Sequence, residues 1–77
     1  MNTEIYEKVK KILVESLKID ESKIVPEASF KDTLGMDSLE QAELIMDIEK
    51  AFNCTIDEKE SENIKTVADA VAFLEKK

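Results

Sequence analysis

Apolar residues recur at the three- and four-residue spacing of an amphipathic helix in three parts of this 77-residue chain. The segments cover residues 3–17, residues 38 to about 52, and residues 67 to about 76. A polar stretch over 57–63 predicts a further helix of one or two turns, and no segment alternates as a strand does. We therefore expect an all-α fold, a small four-helix bundle with a short third helix, in which residues 1–77 form one domain.

The residues from 18 to 35 lack helical periodicity and predict a long first loop held by scattered apolar anchors. Gly35, the only glycine, permits a tight turn where this loop ends. Asp37 is a good N-cap, and Glu40 stands at the capping-box position three residues later. This pattern places Ser38 at the first position of the second helix.

The composition excludes most self-contained catalytic schemes. The chain has no His, so it lacks the usual general base near neutral pH and the commonest metal ligand. It also has no Arg, so it lacks the planar guanidinium group that binds phosphate. Its single cysteine, Cys54, can form neither an intrachain disulfide nor a zinc site, which favours a reducing compartment. We expect no catalytic residue and no metal site, and we interpret Cys54 as a half-buried small residue, in preference to a functional thiol.

Negative charge is concentrated in one region of the chain. The formal net charge is −7; residues 32–62, with ten acidic residues and two lysines, carry −8, and the remainder of the chain carries +1. An acidic surface disfavours nucleic acid and predicts a partner with a basic face. No signal peptide or membrane span is evident, so we expect a cytoplasmic monomer.

The second helix has two apolar faces on a helical wheel. The expected core face consists of Leu44, Ile45, Ile48, Ala51 and Phe52. The other face, on the side of Ser38, consists of Leu39, Ala42 and Met46, edged by Glu43 and Glu49. These residues either fill the margins of a small core or form a contact patch with an acidic rim.

Ser38 stands where a phosphate group would be stabilised. The first turn of a helix has unpaired backbone N–H groups and the positive end of the helix dipole. With no His to accept the hydroxyl proton, a Ser-His-acid triad cannot form, so Ser38 is expected to be a substrate and not a nucleophilic catalyst.

The string Gly35-Met36-Asp37-Ser38-Leu39-Glu40 closely resembles the attachment motif of acyl carrier proteins. Similarity continues in residues 27–30, 43–49 and 64–70 and covers essentially the whole chain. The resemblance implies that Ser38 receives a 4′-phosphopantetheine arm from coenzyme A, attached by a separate magnesium-dependent phosphopantetheinyl transferase that supplies the missing base. Acyl groups would be carried as thioesters on the arm, presented to the enzymes of type II fatty acid biosynthesis and sheltered in the bundle.

The resemblance also assigns roles to individual residues. It implies partner-binding positions at Asp37, Leu39, Glu40, Glu43, Met46 and Glu49, and an acyl-chain cavity lined by Met46, Ile48, Ile56 and Ile64. The chain departs from the family pattern where Lys50, Ala51 and Lys59 interrupt the acidic run, which predicts altered partner contacts. Asp57 replaces a common proline and predicts a carboxylate cap for the third helix.

Other functions remain open from the sequence. A carrier of the same fold could serve polyketide intermediates or an activated amino acid such as D-alanine. An acidic helical adapter without a prosthetic group is the alternative from a different class, and an enzyme is the least favoured because no carboxylate pair is recognisable in a cleft.

Overall fold

The computed structural model describes residues 1–76 and consists of four α-helices with a long first loop. The helices are α1 (Thr3–Glu15), α2 (Ser38–Phe52), α3 (Glu58–Glu62) and α4 (Val67–Glu75), and the loop contains one 3₁₀ turn, Glu21–Lys23. Within residues 1–76 the only β-type pairing is an isolated antiparallel bridge between Ser29 and Thr66. The predicted small four-helix bundle with a short third helix is confirmed.

Side-chain caps in the sequence set the helix starts. The Asn2 side chain accepts the Ile5 N–H, and α3 and α4 begin with capping boxes. In the capping box of α3, Asp57 provides the carboxylate cap that the sequence predicts in place of proline. No helix within residues 1–76 has both the length and the apolar character needed to cross a membrane.

The prediction that α1 extends to residue 17 is wrong by two residues. The helix ends at Glu15, and Lys18 adopts a left-handed conformation with φ of 58°. The Ile19 N–H donates to the Leu13 carbonyl oxygen at 3.0 Å and closes this turn. Leu17 is still buried, because the turn brings its side chain back to the core from outside the helix.

The core lies where α1 packs against α4 and α2. Its fully buried large side chains are Val9, Leu13, Met36, Leu44, Ile48, Val67 and Val71.

The predicted core face of α2 is only partly correct. Leu44 and Ile48 are buried, Ile45 and Phe52 are half-buried, and Ala51 is exposed in the last turn of the helix. The Phe52 ring borders solvent, with the Lys8 ammonium 5.5 Å from its centroid.

The first loop is fastened to the segment that begins α4. The Phe30 N–H donates to the Lys65 carbonyl at 3.0 Å, and the Val67 N–H donates to the Ala28 carbonyl at 3.1 Å. The apolar anchors of the loop that reach the core are Ile24, Ala28, Phe30 and Leu34. The loop is therefore long, but backbone hydrogen bonds and buried side chains hold it against the bundle. The scattered apolar residues predict such anchoring.

Gly35 makes the turn that leads into α2. Its φ is +64°. This backbone conformation is unfavourable for an L-residue that has a Cβ atom. Immediately after it, the Met36 N–H donates to the Phe30 carbonyl at 2.9 Å, and the Met36 side chain enters the core. This turn therefore sets the position at which α2 starts.

We expect Gly35→Ala to lower the free energy of unfolding by about 1 kcal/mol. A Cβ at this position would meet no atom within 4 Å, so the cost is one of backbone conformation and not of a clash. Gly35→Asn should cost less, because Asn tolerates the left-handed region. Urea unfolding of the three proteins measures this, and equal stability of Gly35→Ala and wild type would contradict it.

Candidate functional site

Ser38 is the first residue of α2, and it is exposed. The capping box is complete: the Glu40 N–H donates to Asp37 Oδ1 at 2.8 Å, and the Asp37 N–H donates to Glu40 Oε1 at 3.1 Å. The Gln41 N–H donates to the Asp37 carbonyl. The N–H groups of Ser38 and Leu39 thus have no acceptor among residues 1–76. Two free donors at a helix N-terminus favour a phosphate at this point.

Met36 positions this helix start, and sequence reasoning missed it. Its side chain is 2% exposed, and its carbonyl oxygen accepts a hydrogen bond from Gln41 Nε2 at 3.3 Å. A sequence signal did exist, because Met36 directly precedes the N-cap, where an apolar residue often fixes the entry of the chain into a helix. The buried Met36 holds Asp37, and with it Ser38, at the surface of the bundle.

The chemistry available at Ser38 is that of an acceptor. The chain has no His, and the carboxylates of the capping box, Asp37 and Glu40, accept hydrogen bonds from backbone N–H groups. Neither carboxylate is thus arranged to remove the hydroxyl proton. Ser38 is exposed at a helix start with free backbone N–H groups, a position where an attached anionic group would be stabilised.

Three apolar residues form an exposed strip on α2, namely Leu39, Ala42 and Met46. Leu39 is 78% exposed and Met46 is 53% exposed, and Ala42 between them is exposed as well. The explanation that they fill the margins of the core is therefore wrong. Glu43 lies beside the strip and is exposed, so an apolar surface with an acidic neighbour faces solvent next to Ser38.

Glu49 has a structural role that sequence reasoning did not predict. It is partly buried, and its Oε2 accepts the N–H of the buried Ile56 at 2.7 Å. Its carbonyl oxygen accepts the Cys54 N–H at 3.1 Å, next to Asn53 in the left-handed conformation. Glu49 therefore holds the turn that connects α2 to α3. Cys54 lies half-buried in this turn, as we expect of a small structural residue.

A groove of about 440 Å³ runs beside Ser38 between α2 and α3. It is lined by Phe30, Ser38, Gln41, Ala42, Leu44, Ile45, Glu58, Ser61, Glu62 and Ile64. Of the four residues that the resemblance assigns to a cavity, only Ile64 lines this groove. Ile48 and Ile56 are buried in the core, and Met46 belongs to the exposed strip. The structure does not bring these four residues together around one space.

The chain matches a known protein family. A sequence model described as the phosphopantetheine attachment site matches residues 7–74, which includes α2, α3, nearly all of α4 and most of α1.

We expect Glu49→Ala to lower the free energy of unfolding by about 1 kcal/mol, because the Ile56 N–H loses its acceptor. The matched control is Glu43→Ala, which removes an exposed carboxylate from the same helix and should change stability by less than about 0.5 kcal/mol. Chemical denaturation of both variants tests this expectation. Equal effects would show that the Glu49 carboxylate contributes nothing through the turn.

Proposed function

The chain belongs to the phosphopantetheine attachment family, and we propose that it is an acyl carrier protein of type II fatty acid biosynthesis whose arm is attached to Ser38. The family assignment confirms the resemblance at the level of a carrier domain. Such a domain is the site of covalent 4′-phosphopantetheine attachment and is a carrier that does not itself catalyse. The attachment residue, the pathway and the partner enzymes are our proposal.

The observation that carries the proposal is the environment of the Ser38 hydroxyl. It is exposed at the start of a 15-residue helix, beside two backbone N–H groups without acceptors among residues 1–76. These donors and the helix dipole stabilise the negative charge of a phosphodiester. When attached, the arm supplies a thiol that carries acyl groups as thioesters, while this chain supplies the anchoring oxygen and the charge stabilisation.

The groove supports an acyl cargo. Ser38 lies on its lining, and the buried side chains of Phe30, Leu44 and Ile64 contribute apolar surface to it. An acyl chain placed there would remove apolar surface from water at about 25 cal/mol per Å². A chain sheltered in this way would stay next to its attachment point until a partner enzyme withdraws it.

The exposed strip and its neighbouring carboxylates support docking of partners with basic patches. Leu39 and Met46 offer apolar anchors, and Met adapts to partners of different shape. Asp37 and Glu43 are exposed beside them, and Glu40 and Glu49 are partly exposed. A phosphopantetheinyl transferase and the fatty acid synthesis enzymes would thus meet one surface next to Ser38, with charge steering their approach.

A specialised carrier of polyketide intermediates or of an amino acid is the second candidate. Lys50 and Lys59 are exposed and interrupt the acidic surface, so this chain would meet partners through a different pattern of charge. Loading assays with acyl and aminoacyl ligases separate the two candidates, because only the matching class of ligase should charge the pantetheinylated protein. The family match counts against an adapter without a prosthetic group.

The attachment residue is tested by intact-mass measurement. Incubation with coenzyme A, magnesium and a broad-specificity phosphopantetheinyl transferase should add the mass of one arm to the wild type and none to Ser38→Ala. The two proteins should have similar helical circular dichroism, because Ser38 is exposed. Mass gain in Ser38→Ala would place the arm elsewhere, and no gain in folded, unmodified wild type would refute the proposal.

The docking surface is tested by Leu39→Ala and Met46→Ala. Each should weaken binding to the transferase at least about fivefold, which corresponds to about 1 kcal/mol, without lowering the melting temperature. The matched control is Val25→Ala, which removes a similarly exposed apolar side chain, 45% exposed, from the first loop. The on-rate should also fall as salt rises. Full binding by both strip variants, or a salt-independent on-rate, would contradict this surface.

A further inference from the structure

The carbonyl oxygen of Met36, the residue before the N-cap of α2, accepts a hydrogen bond from a side chain of α2 itself. The donor is Gln41 Nε2, five positions later, at 3.3 Å. The bond is partly buried, because Gln41 is half-buried and the Met36 side chain is in the core. No other group among residues 1–76 donates to this oxygen. The side chain of Gln41 thus reaches back to the backbone from which its helix starts.

This contact distinguishes α2 from the other helices. Capping boxes begin α2, α3 and α4 alike, so a capping box does not by itself mark the helix that carries Ser38. Among residues 1–76, the carbonyl before the N-cap accepts a loop N–H at α4 and no donor at α1 or α3. Only α2 supplies that donor from a side chain of its own. The extra bond is therefore specific to the helix start at which the arm would be attached.

The hydrogen bond from Gln41 opposes a start of α2 one residue earlier. Such a start would need the helical bond from the Glu40 N–H to the Met36 carbonyl, four residues before it. In the structure the Glu40 N–H donates to Asp37 Oδ1 at 2.8 Å, and the Asp37 backbone is extended, with ψ of 180°. Making Asp37 helical would change this ψ by about 140° and carry the Met36 carbonyl away from Gln41. Asp37 and Gln41 therefore hold the two partners of the competing bond apart.

The start of α2 decides what surrounds the Ser38 hydroxyl. With the observed start, the free backbone N–H groups are those of Ser38 and Leu39. With the earlier start, Met36 would become the N-cap, and its side chain is a poor acceptor for the N–H groups of the first turn. Because Met36 is buried, the chain reversal before Ser38 would change as well. The direction from which the Ser38 hydroxyl can be approached therefore depends on the observed start.

We propose that Gln41 is a positioning residue for attachment of the arm to Ser38. Its bond to the Met36 carbonyl fixes the residue at which α2 starts, and with it the presentation of the Ser38 hydroxyl to the transferase. The proposal rests on the proposed function, because it concerns the transfer to Ser38.

Gln41 acts before the bond changes of the transfer and takes no part in them. Ser38 Oγ forms a bond to the phosphorus of coenzyme A that bears pantetheine. The anhydride bond at this phosphorus breaks, and the nucleotide part leaves with the bridging oxygen. The hydroxyl proton passes to the base that the transferase supplies. Correct presentation of Oγ lowers the barrier to this step, whereas binding of the transferase depends on the exposed strip and its carboxylates.

The first test is the kinetics of arm attachment to the apo protein. Gln41→Met removes the donor but keeps an unbranched side chain of similar length and helix propensity. The kcat of the transferase should fall about fivefold, because the loss of one hydrogen bond is expressed at the reacting oxygen. The KM for this chain should stay within about twofold of wild type, because the docking surface is unchanged. A higher KM with unchanged kcat would assign Gln41 to docking and overturn the proposal.

The matched control is Asn63→Leu. Asn63 Nδ2 donates to the Lys59 carbonyl at 3.3 Å, so it is also a side-chain amide bonded to a backbone oxygen at a helix end, but it does not line the groove beside Ser38. Each substitution should lower the melting temperature by up to about 4 °C. Only Gln41→Met should lower kcat. An equal fall in kcat for both variants would show an effect of stability alone and overturn the positioning role.

Backbone chemical shifts report the helix start directly, and a uniform loss of stability would not move them. In wild type, well below the melting temperature, the Asp37 Cα shift should be that of extended backbone, as in the structure. In Gln41→Met it should move toward the helical value, and in Asn63→Leu it should not. An Asp37 shift that stays extended in Gln41→Met would overturn the mechanism.

The outcomes separate failure of this inference from failure of the proposed function. If folded, unmodified wild type accepts no arm, the proposed function fails. If wild type and Gln41→Met accept the arm with the same kcat, the carrier function stands and the inference about Gln41 fails.

Discussion

The structure depends on the anchoring of the first loop in the core next to the start of α2. Phe30 and Met36 are both buried, and the Met36 N–H donates to the Phe30 carbonyl across the Gly35 turn. Without this pairing, a helix beginning at Ser38 would have no fixed origin, because the residues before it form no regular structure. The exposed position of the Ser38 hydroxyl therefore results from packing that occurs entirely beneath it.

The same arrangement explains how a strongly acidic segment can stay folded. Residues 32–62 carry a net charge of −8, and self-repulsion opposes their compact packing. The carboxylates of Asp37, Glu49 and Asp57 offset part of this cost, because each accepts a backbone N–H at a helix end or turn. Carboxylates of the acidic segment thereby help to hold α2 and α3 in place.

Features that depend on neighbouring residues could be predicted from the sequence, and features that depend on distant packing could not. The capping box of Asp37 and Glu40 involves two residues three positions apart, and the wheel identified Leu44 and Ile48 as buried. The helical wheel could not predict whether Leu39 and Met46 are buried, because their burial depends on which side of α2 packs against the other helices. The hydrogen bond from the Ile56 N–H to the Glu49 carboxylate spans seven residues and a turn, and no local sequence pattern predicts it. The resemblance assigns an acyl-chain cavity to Met46, Ile48, Ile56 and Ile64, and of these only Ile64 lines the groove beside α3.

Glu49 connects α2 to the turn that precedes α3. Its carboxylate is partly exposed near Met46, and it accepts the N–H of Ile56, the residue that precedes the Asp57 cap of α3. The Ile56 N–H uses Oε2 alone, so Oε1 keeps its lone pairs for a basic side chain. Because α3 buries none of its own side chains, the flanking Ile56 and Ile64 and the Glu49 bond are what hold it beside α2. One carboxylate of α2 therefore contributes to the position of α3 and of the groove beside Ser38.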